Sequence, residues 1–129
     1  PVEVFRHVKE FRFSMLDPVY KTNLNKSIYD WYVDQLLNRY VLLPSGEVTK
    51  QVRGNPSGQI STTMDNNLVN TFLQAFEFAY VHPELSLDEL DVLYAQSDSI
   101  IYGDDRISSW PVIPDNYVDE VIGMYEHIF

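Results

Sequence analysis

Ser97-Asp98-Ser99-Ile100-Ile101-Tyr102-Gly103-Asp104-Asp105-Arg106-Ile107-Ser108-Ser109 is the stretch on which the fold is read. Two short runs, 99–102 and 106–109, flank Gly103, Asp104 and Asp105 and predict a hairpin. Glycine takes positive φ freely and aspartate tolerates it, so this trio suits a tight turn. Adjacent carboxylates at such a tip also form a hard, all-oxygen donor set of the kind that holds magnesium against phosphate. Taken alone, a Gly-Asp-Asp is better read as a solvated turn. The rest of the chain decides.

With 129 residues, 45% hydrophobic and 14% aromatic, the chain can bury one core as one domain and does not have the composition of disorder. It has no cysteine, which excludes a disulfide scaffold and thiol chemistry and fits a reducing compartment. The most apolar run, 71–81, is too short to span a membrane and carries Glu77. Asn25-Lys26-Ser27 matches a glycosylation sequon, but no secretory signal accompanies it. The net charge of −10 is unevenly placed: residues 1–53 hold eight Lys/Arg against six Asp/Glu, and residues 54–129 hold one against thirteen. So acidic a chain argues against a sequence-independent grip on nucleic acid, which needs a basic track.

Outward from the hairpin, apolar periodicity and capping signals predict five helices and a second hairpin. A helix over 2–16 aligns Val4, Phe5, Val8, Phe11 and Met15, leaves Arg6, Lys9, Glu10 and Arg12 mostly off the stripe, and ends at Asp17-Pro18. Asn25 is the expected cap of a helix over 26–38 that presents Ile28, Tyr32, Gln35 and Leu36. Strands 40–43 and 47–53 turn at Pro44 and Gly46. Lys50 and Arg53 on the second strand are read as solvent-facing. Gly54-Asn55-Pro56-Ser57-Gly58-Gln59 then leads into a helix over 61–80, capped by Ser61 or Thr62 and burying Leu68, Phe72, Ala75, Phe76 and Ala79.

A glycine-rich loop at a helix N-terminus offers backbone N–H groups and a favourable dipole to a phosphate or ribose. Thr62 and Asn66, four apart, share a face of that helix's first turns. Ser86 with Glu89 is a capping box for a short helix to about 94, and the four acids within 84–91 form a solvated face without calcium-loop spacing. Asp115 is the expected cap of a last helix, with Val118, Val121, Ile122, Tyr125 and Ile128 on its stripe. His7 is read as a surface residue, His82 as a loop residue without a partner, and His127 as a favourable residue at a helix C-terminus.

Ser57-Gly58, Thr62 and Asn66, followed some forty residues later by Tyr102-Gly103-Asp104-Asp105, resemble motifs B and C of viral RNA-dependent RNA polymerases. More narrowly, residues 42–49, 53–59, 62–67, 74–80 and 102–106 look like the astrovirus polymerase. The resemblance covers nearly the whole chain and is loosest around 81–98. It implies an α+β fold: a partial palm with helices packed on a small antiparallel sheet, plus part of the fingers. Residues 1–129 would then be an incomplete catalytic domain: a post-motif-A helix and fingers segment (1–53), the motif B loop and helix (54–80), the motif C hairpin (97–109) and the motif D helix (115–129).

By the same resemblance, Asp104 binds the catalytic metals with Asp105 as a weaker ligand, and Ser57, Gly58, Thr62 and Asn66 hold the incoming nucleotide and sense its ribose. The implied cofactor is Mg²⁺, with Mn²⁺ as a substitute. The implied partners are RNA template and nascent RNA, nucleoside triphosphates, the remaining polymerase and other viral replication proteins. The implied location is the host cytoplasm, at membrane-associated replication complexes. The motif A pattern Asp-x-x-x-x-Asp is not found before the first helix, and the lysine that follows motif D is expected beyond residue 129, so the chain is expected to be a fragment inactive by itself. Two alternatives stand beside this one. One is another palm polymerase of reverse-transcriptase type. The other is a non-catalytic acidic module in which Asp104-Asp105 is a surface turn or weak calcium site.

Overall fold

The first apolar stripe forms α1, Val2–Ser14, in a computed structural model that describes residues 2–128. Val4, Phe5 and Val8 are buried as the stripe predicts, and so is Lys9, which the periodicity had placed off it. The helix stops short of Asp17, whose carboxylate accepts the Val19 N–H at 2.9 Å and caps a single 3-10 turn, Pro18–Tyr20. α2 spans Asn23–Leu37 and is capped by Thr22, whose hydroxyl accepts the Asn25 N–H at 3.1 Å. Asn25, the expected cap, instead lies inside the helix and donates to the Tyr20 carbonyl at 2.8 Å. α2 buries Val33 and Leu37, whereas Ile28 on the predicted face is exposed.

Arg6 pairs with Asp34 at 2.7 Å, the Tyr29 hydroxyl donates to the Lys9 carbonyl at 3.0 Å, and Phe13 packs on Tyr29 at 5.2 Å. β1, Arg39–Leu42, then pairs antiparallel with β2, Val48–Gln51, with Tyr40 opposite Lys50. Pro44 sits second in their turn, which the Gly46 N–H closes on the Leu43 carbonyl at 2.9 Å. β2 ends before Arg53, so Lys50 and Arg53 do not share a strand. These elements belong to one compact unit, Pro1–Asp65; the other is Asn66–Phe129. The division falls within α3, Thr62–Tyr80.

In the second unit the core is aromatic. Phe78 is fully buried between Tyr94 at 5.2 Å, His82 at 4.6 Å and Trp110, whose ring meets it edge-on at 5.2 Å. Met124 is buried too, and each such side chain contributes about 1.5–3 kcal/mol of transfer free energy. α3 does not bury the face that hydrophobicity predicts. Phe72 is 40% exposed, while Asn70, Gln74, Glu77 and Phe78 are buried. Asn70 and Glu77 can be inside because their polar atoms have partners, which hydrophobic periodicity does not register.

Ser86 and Glu89 form the expected capping box of α4, Leu87–Tyr94. β3, Asp98–Tyr102, pairs antiparallel with β4, Asp105–Ser109, with Ile100 opposite Ile107. α5 spans Tyr117–Ile128; Asn116 rather than Asp115 precedes it, its carbonyl accepting the Glu120 N–H at 3.1 Å. His82 lies in the loop after α3 as expected but is buried and has a partner: its Nδ1 lies 2.9 Å from the Phe78 carbonyl. His7 is exposed, and exposed His127 sits in the last turn of α5 as expected. The described residues are thus α+β, with five α-helices and two hairpins. The two hairpins are separate two-stranded antiparallel sheets.

Candidate active site at the acidic hairpin

The turn at the tip is tighter than its sequence suggests. Tyr102 pairs with Asp105, so Gly103 and Asp104 alone connect the strands and Asp105 is the first residue of β4. Gly103 has φ +66° and no other residue type among those described has positive φ, the pattern of a II′ turn with glycine at its first central position. Gly103 is buried and both aspartates are exposed.

Helix α3 holds this turn from below through two asparagines three residues apart. Asn67 Oδ1 accepts the Gly103 N–H at 2.5 Å. Asn70 Nδ2 points at three successive carbonyls, those of Gly103 (3.4 Å), Asp104 (3.1 Å) and Asp105 (3.4 Å). Neither amide is among the site residues expected from the sequence; the signal available was their i, i+3 spacing on α3.

Behind the turn lies a buried carboxylate, Glu77, 1% exposed. It accepts from the Arg106 guanidinium, from the Tyr117 hydroxyl at 3.1 Å and from the Tyr125 hydroxyl at 2.6 Å. Burial alone would make Arg106 easier to deprotonate, but the hydrogen bond and charge of Glu77 outweigh it and hold the guanidinium protonated more firmly than usual. Burial, reinforced by Glu77, pushes both tyrosine hydroxyls above their ordinary range. Asn66, Asn70, Glu77, Asp104, Arg106 and Tyr125 all line one cleft of about 400 Å³.

Of the remaining predicted site residues, Ser57, Gly58 and Thr62 belong to the first unit. Ser57 and Gly58 are the exposed central residues of a turn that the Gln59 N–H closes on the Pro56 carbonyl at 3.4 Å. Gly58 has φ +83°, which that position of a type II turn requires. Thr62 donates its hydroxyl to the carbonyls of Pro56 (2.8 Å) and Gln59 (2.9 Å), so it fastens the loop.

The loop is also tied to a buried ion cluster. Asp65, fully buried, accepts from Lys9 at 2.6 Å, Arg12 at 2.5 Å, Ser61 at 2.8 Å and Gln59 at 2.8 Å. Burial disfavours its charge, yet the bonds from Lys9, Ser61, Arg12 and Gln59 prevail and hold it below the usual carboxylate range.

Among the described residues no group of three or more Asp, Glu, His or Cys is arranged to hold a metal ion. Asp104 and Asp105 offer two exposed carboxylates, which matches the way Mg²⁺ is bound: one or two protein carboxylates, with waters and substrate phosphates completing the shell. Among the described residues no helix is long and apolar enough to cross a membrane.

Residues 1–128 match the sequence model of the family described as viral RNA-dependent RNA polymerase. Over all 129 residues the chain is 58% identical to the non-structural polyprotein 1AB of Ovine astrovirus 1 and 57% identical to that of Mink astrovirus 1, covering 10% and 9% of those proteins. The corresponding polyprotein of Human astrovirus-5 is 52% identical over 130 aligned positions, again across the whole chain and 9% of the relative. The chain thus spans about a tenth of the length of the curated relatives it matches. No solved structure matches it.

Proposed function

The chain belongs to the viral RNA-dependent RNA polymerase family, and from that premise we propose that it carries part of the catalytic centre for template-directed RNA synthesis. The reaction is transfer of a nucleotidyl group from a nucleoside triphosphate to an RNA 3′-hydroxyl, with pyrophosphate leaving. With the family established, the acidic binding module and the reverse-transcriptase reading give way.

Asp104 is the principal metal ligand in this proposal and Asp105 its support. The observation that carries it is the pair of exposed carboxylates on a turn fixed by Asn67 and Asn70, beside a cleft that Asn66 also lines. Bound Mg²⁺, or Mn²⁺ in its place, would neutralise triphosphate charge and lower the pKa of the attacking hydroxyl. The further carboxylate that the site needs is assigned to a motif A strand outside residues 1–129. Asn66 is assigned to the ribose 2′-hydroxyl, and Ser57 and Thr62 keep the nucleotide-binding role that the resemblance implies. A site built to hydrogen-bond a hydroxyl rejects the analogue lacking it, because its own polar groups are then left unpaired. The Gly58 turn, ahead of the N-terminus of α3, presents backbone N–H groups to phosphate or ribose.

Residues 1–53 are assigned to the post-motif-A helix and fingers, 54–80 to motif B, 97–109 to motif C and 115–129 to motif D of an incomplete palm. The partners are RNA template and nascent strand, nucleoside triphosphates, the rest of the polymerase and other viral replication proteins, at membrane-associated complexes in the host cell. Since this chain carries −10, the basic track for RNA is assigned to other parts of the polymerase. Asp104→Asn in the complete polymerase tests the reading. Primer extension should be abolished with RNA binding retained, and extension at the parental rate would remove Asp104 from the metal site.

A further inference from the structure

We infer that Asn70, together with Asn67, is a positioning residue for the metal-binding carboxylates: the two amides set the backbone of residues 103–105 and thereby the direction in which Asp104 projects. The inference rests on the assignment of Asp104 as a metal ligand.

The chemistry of the partners fixes how both amides are oriented. A backbone N–H can only donate, so the atom of Asn67 that meets Gly103 at 2.5 Å is its oxygen. Carbonyls can only accept, so Asn70 turns its nitrogen to Gly103, Asp104 and Asp105. Asn70 Oδ1 then faces Arg106 Nη1 at 3.4 Å, and Arg106 is itself anchored on buried Glu77. A relay of donors and acceptors therefore runs from Glu77 through Arg106 and Asn70 into the turn. Three successive carbonyls converging on one nitrogen would repel each other and any anion placed among them; a buried N–H₂ group is the neutral filling that suits them. Asn70 is 9% exposed, so water does not readily replace it.

A pair of carboxylates that must meet a metal within a fraction of an ångström needs such support, because groups holding a ligand in place matter nearly as much as the ligand. The requirement is different at the two positions. Residue 70 must donate, and residue 67 must accept.

That difference supplies the test, made in the complete polymerase. Asn70→Asp keeps the shape but removes the donor. It should lower the rate of incorporation at saturating nucleotide about 10–100-fold and raise the Mg²⁺ concentration for half-maximal rate, with RNA affinity unchanged. Asn67→Asp keeps the acceptor and should sit well above Asn67→Leu in rate.

Amide hydrogen exchange at Gly103 gives a readout independent of turnover, and it should be slow in the parent and in Asn67→Asp and fast in Asn67→Leu. Parental rate and Mg²⁺ dependence in Asn70→Asp, or equal exchange at Gly103 in all three proteins, would overturn the inference. Asp104→Asn run alongside separates the two layers. Its inactivity beside a fully active Asn70→Asp rejects the positioning role alone, whereas its full activity rejects the metal assignment beneath it.

Discussion

Helix α3 carries two buried carboxylates, one in each compact unit, and they are satisfied in different ways. Asp65 takes two cations, Lys9 and Arg12, with a hydroxyl and an amide besides. Glu77 takes one cation, Arg106, and completes its shell with two tyrosine hydroxyls. The first cluster carries net positive charge and the second is balanced. The contrast follows from where the charges lie in the chain. Asp65 draws on α1, in the half that holds eight Lys/Arg, whereas Arg106 is the single Lys/Arg of residues 54–129. A buried carboxylate needs its lone pairs filled as well as its charge met, and hydroxyls can do the former when cations are scarce.

If that contrast is real, losing a cation should cost more at Glu77 than at Asp65. Arg106→Met strands a buried charge that has no second cation among the described residues, and it should destabilise the second unit by about 3–5 kcal/mol in urea unfolding. Lys9→Met removes the ammonium that lies over the rings of Phe5 and Tyr32 and leaves Asp65 its bond to Arg12. Its cost should be about 1.5–3 kcal/mol, the range for one hydrogen bond to a charged group. Equal losses in the two variants would erase the distinction.

Much of this architecture was legible beforehand. The acidic hairpin, the Pro44 turn, the Ser86 capping box and the long helix over the seventies all announce themselves through local chemistry, since turn and cap residues act on their own backbone. The Gly103-Asp104-Asp105 tip was legible as well, though the register tightened it to two residues. The buried polar stripe of α3 was not. Hydrophobic periodicity pointed to Phe72, which is exposed, because the burial of Asn70 and Glu77 depends on partners more than twenty-five residues away in sequence. Lys9 was misread for the same reason: its partner Asp65 lies across the unit. Two clues were present without a way to join them. Glu77 interrupts the most apolar run, and Arg106 is alone in an acidic half.

The smallest and most diagnostic difference is in pH dependence. The folded Asp65 carboxyl titrates below its unfolded value of about 3.9, so its contribution is present above that pH and is lost as pH falls toward the folded value. Tyr125 runs the other way. Its folded pKa is raised, by burial and then by the bond to Glu77, so its contribution is complete below the unfolded value of about 10 and is lost as pH rises toward the folded one. The Asp65 cluster should therefore weaken at the acid edge and the Glu77 cluster at the alkaline edge.

Tyr29 in the first unit is also raised by burial, so alkaline loss by itself does not identify the Glu77 cluster. Tyr125→Phe does. It keeps the ring and deletes only the hydroxyl, while Arg106 and Tyr117 continue to serve Glu77. At neutral pH it should cost about 1.5 kcal/mol, and above pH about 10 the gap to the parent should narrow, because the variant has no hydroxyl left to ionise on unfolding. Urea midpoints measured at neutral and alkaline pH follow that gap. A gap that stays constant, or widens, would mean that Tyr125 is not part of the hydrogen-bonding shell of Glu77.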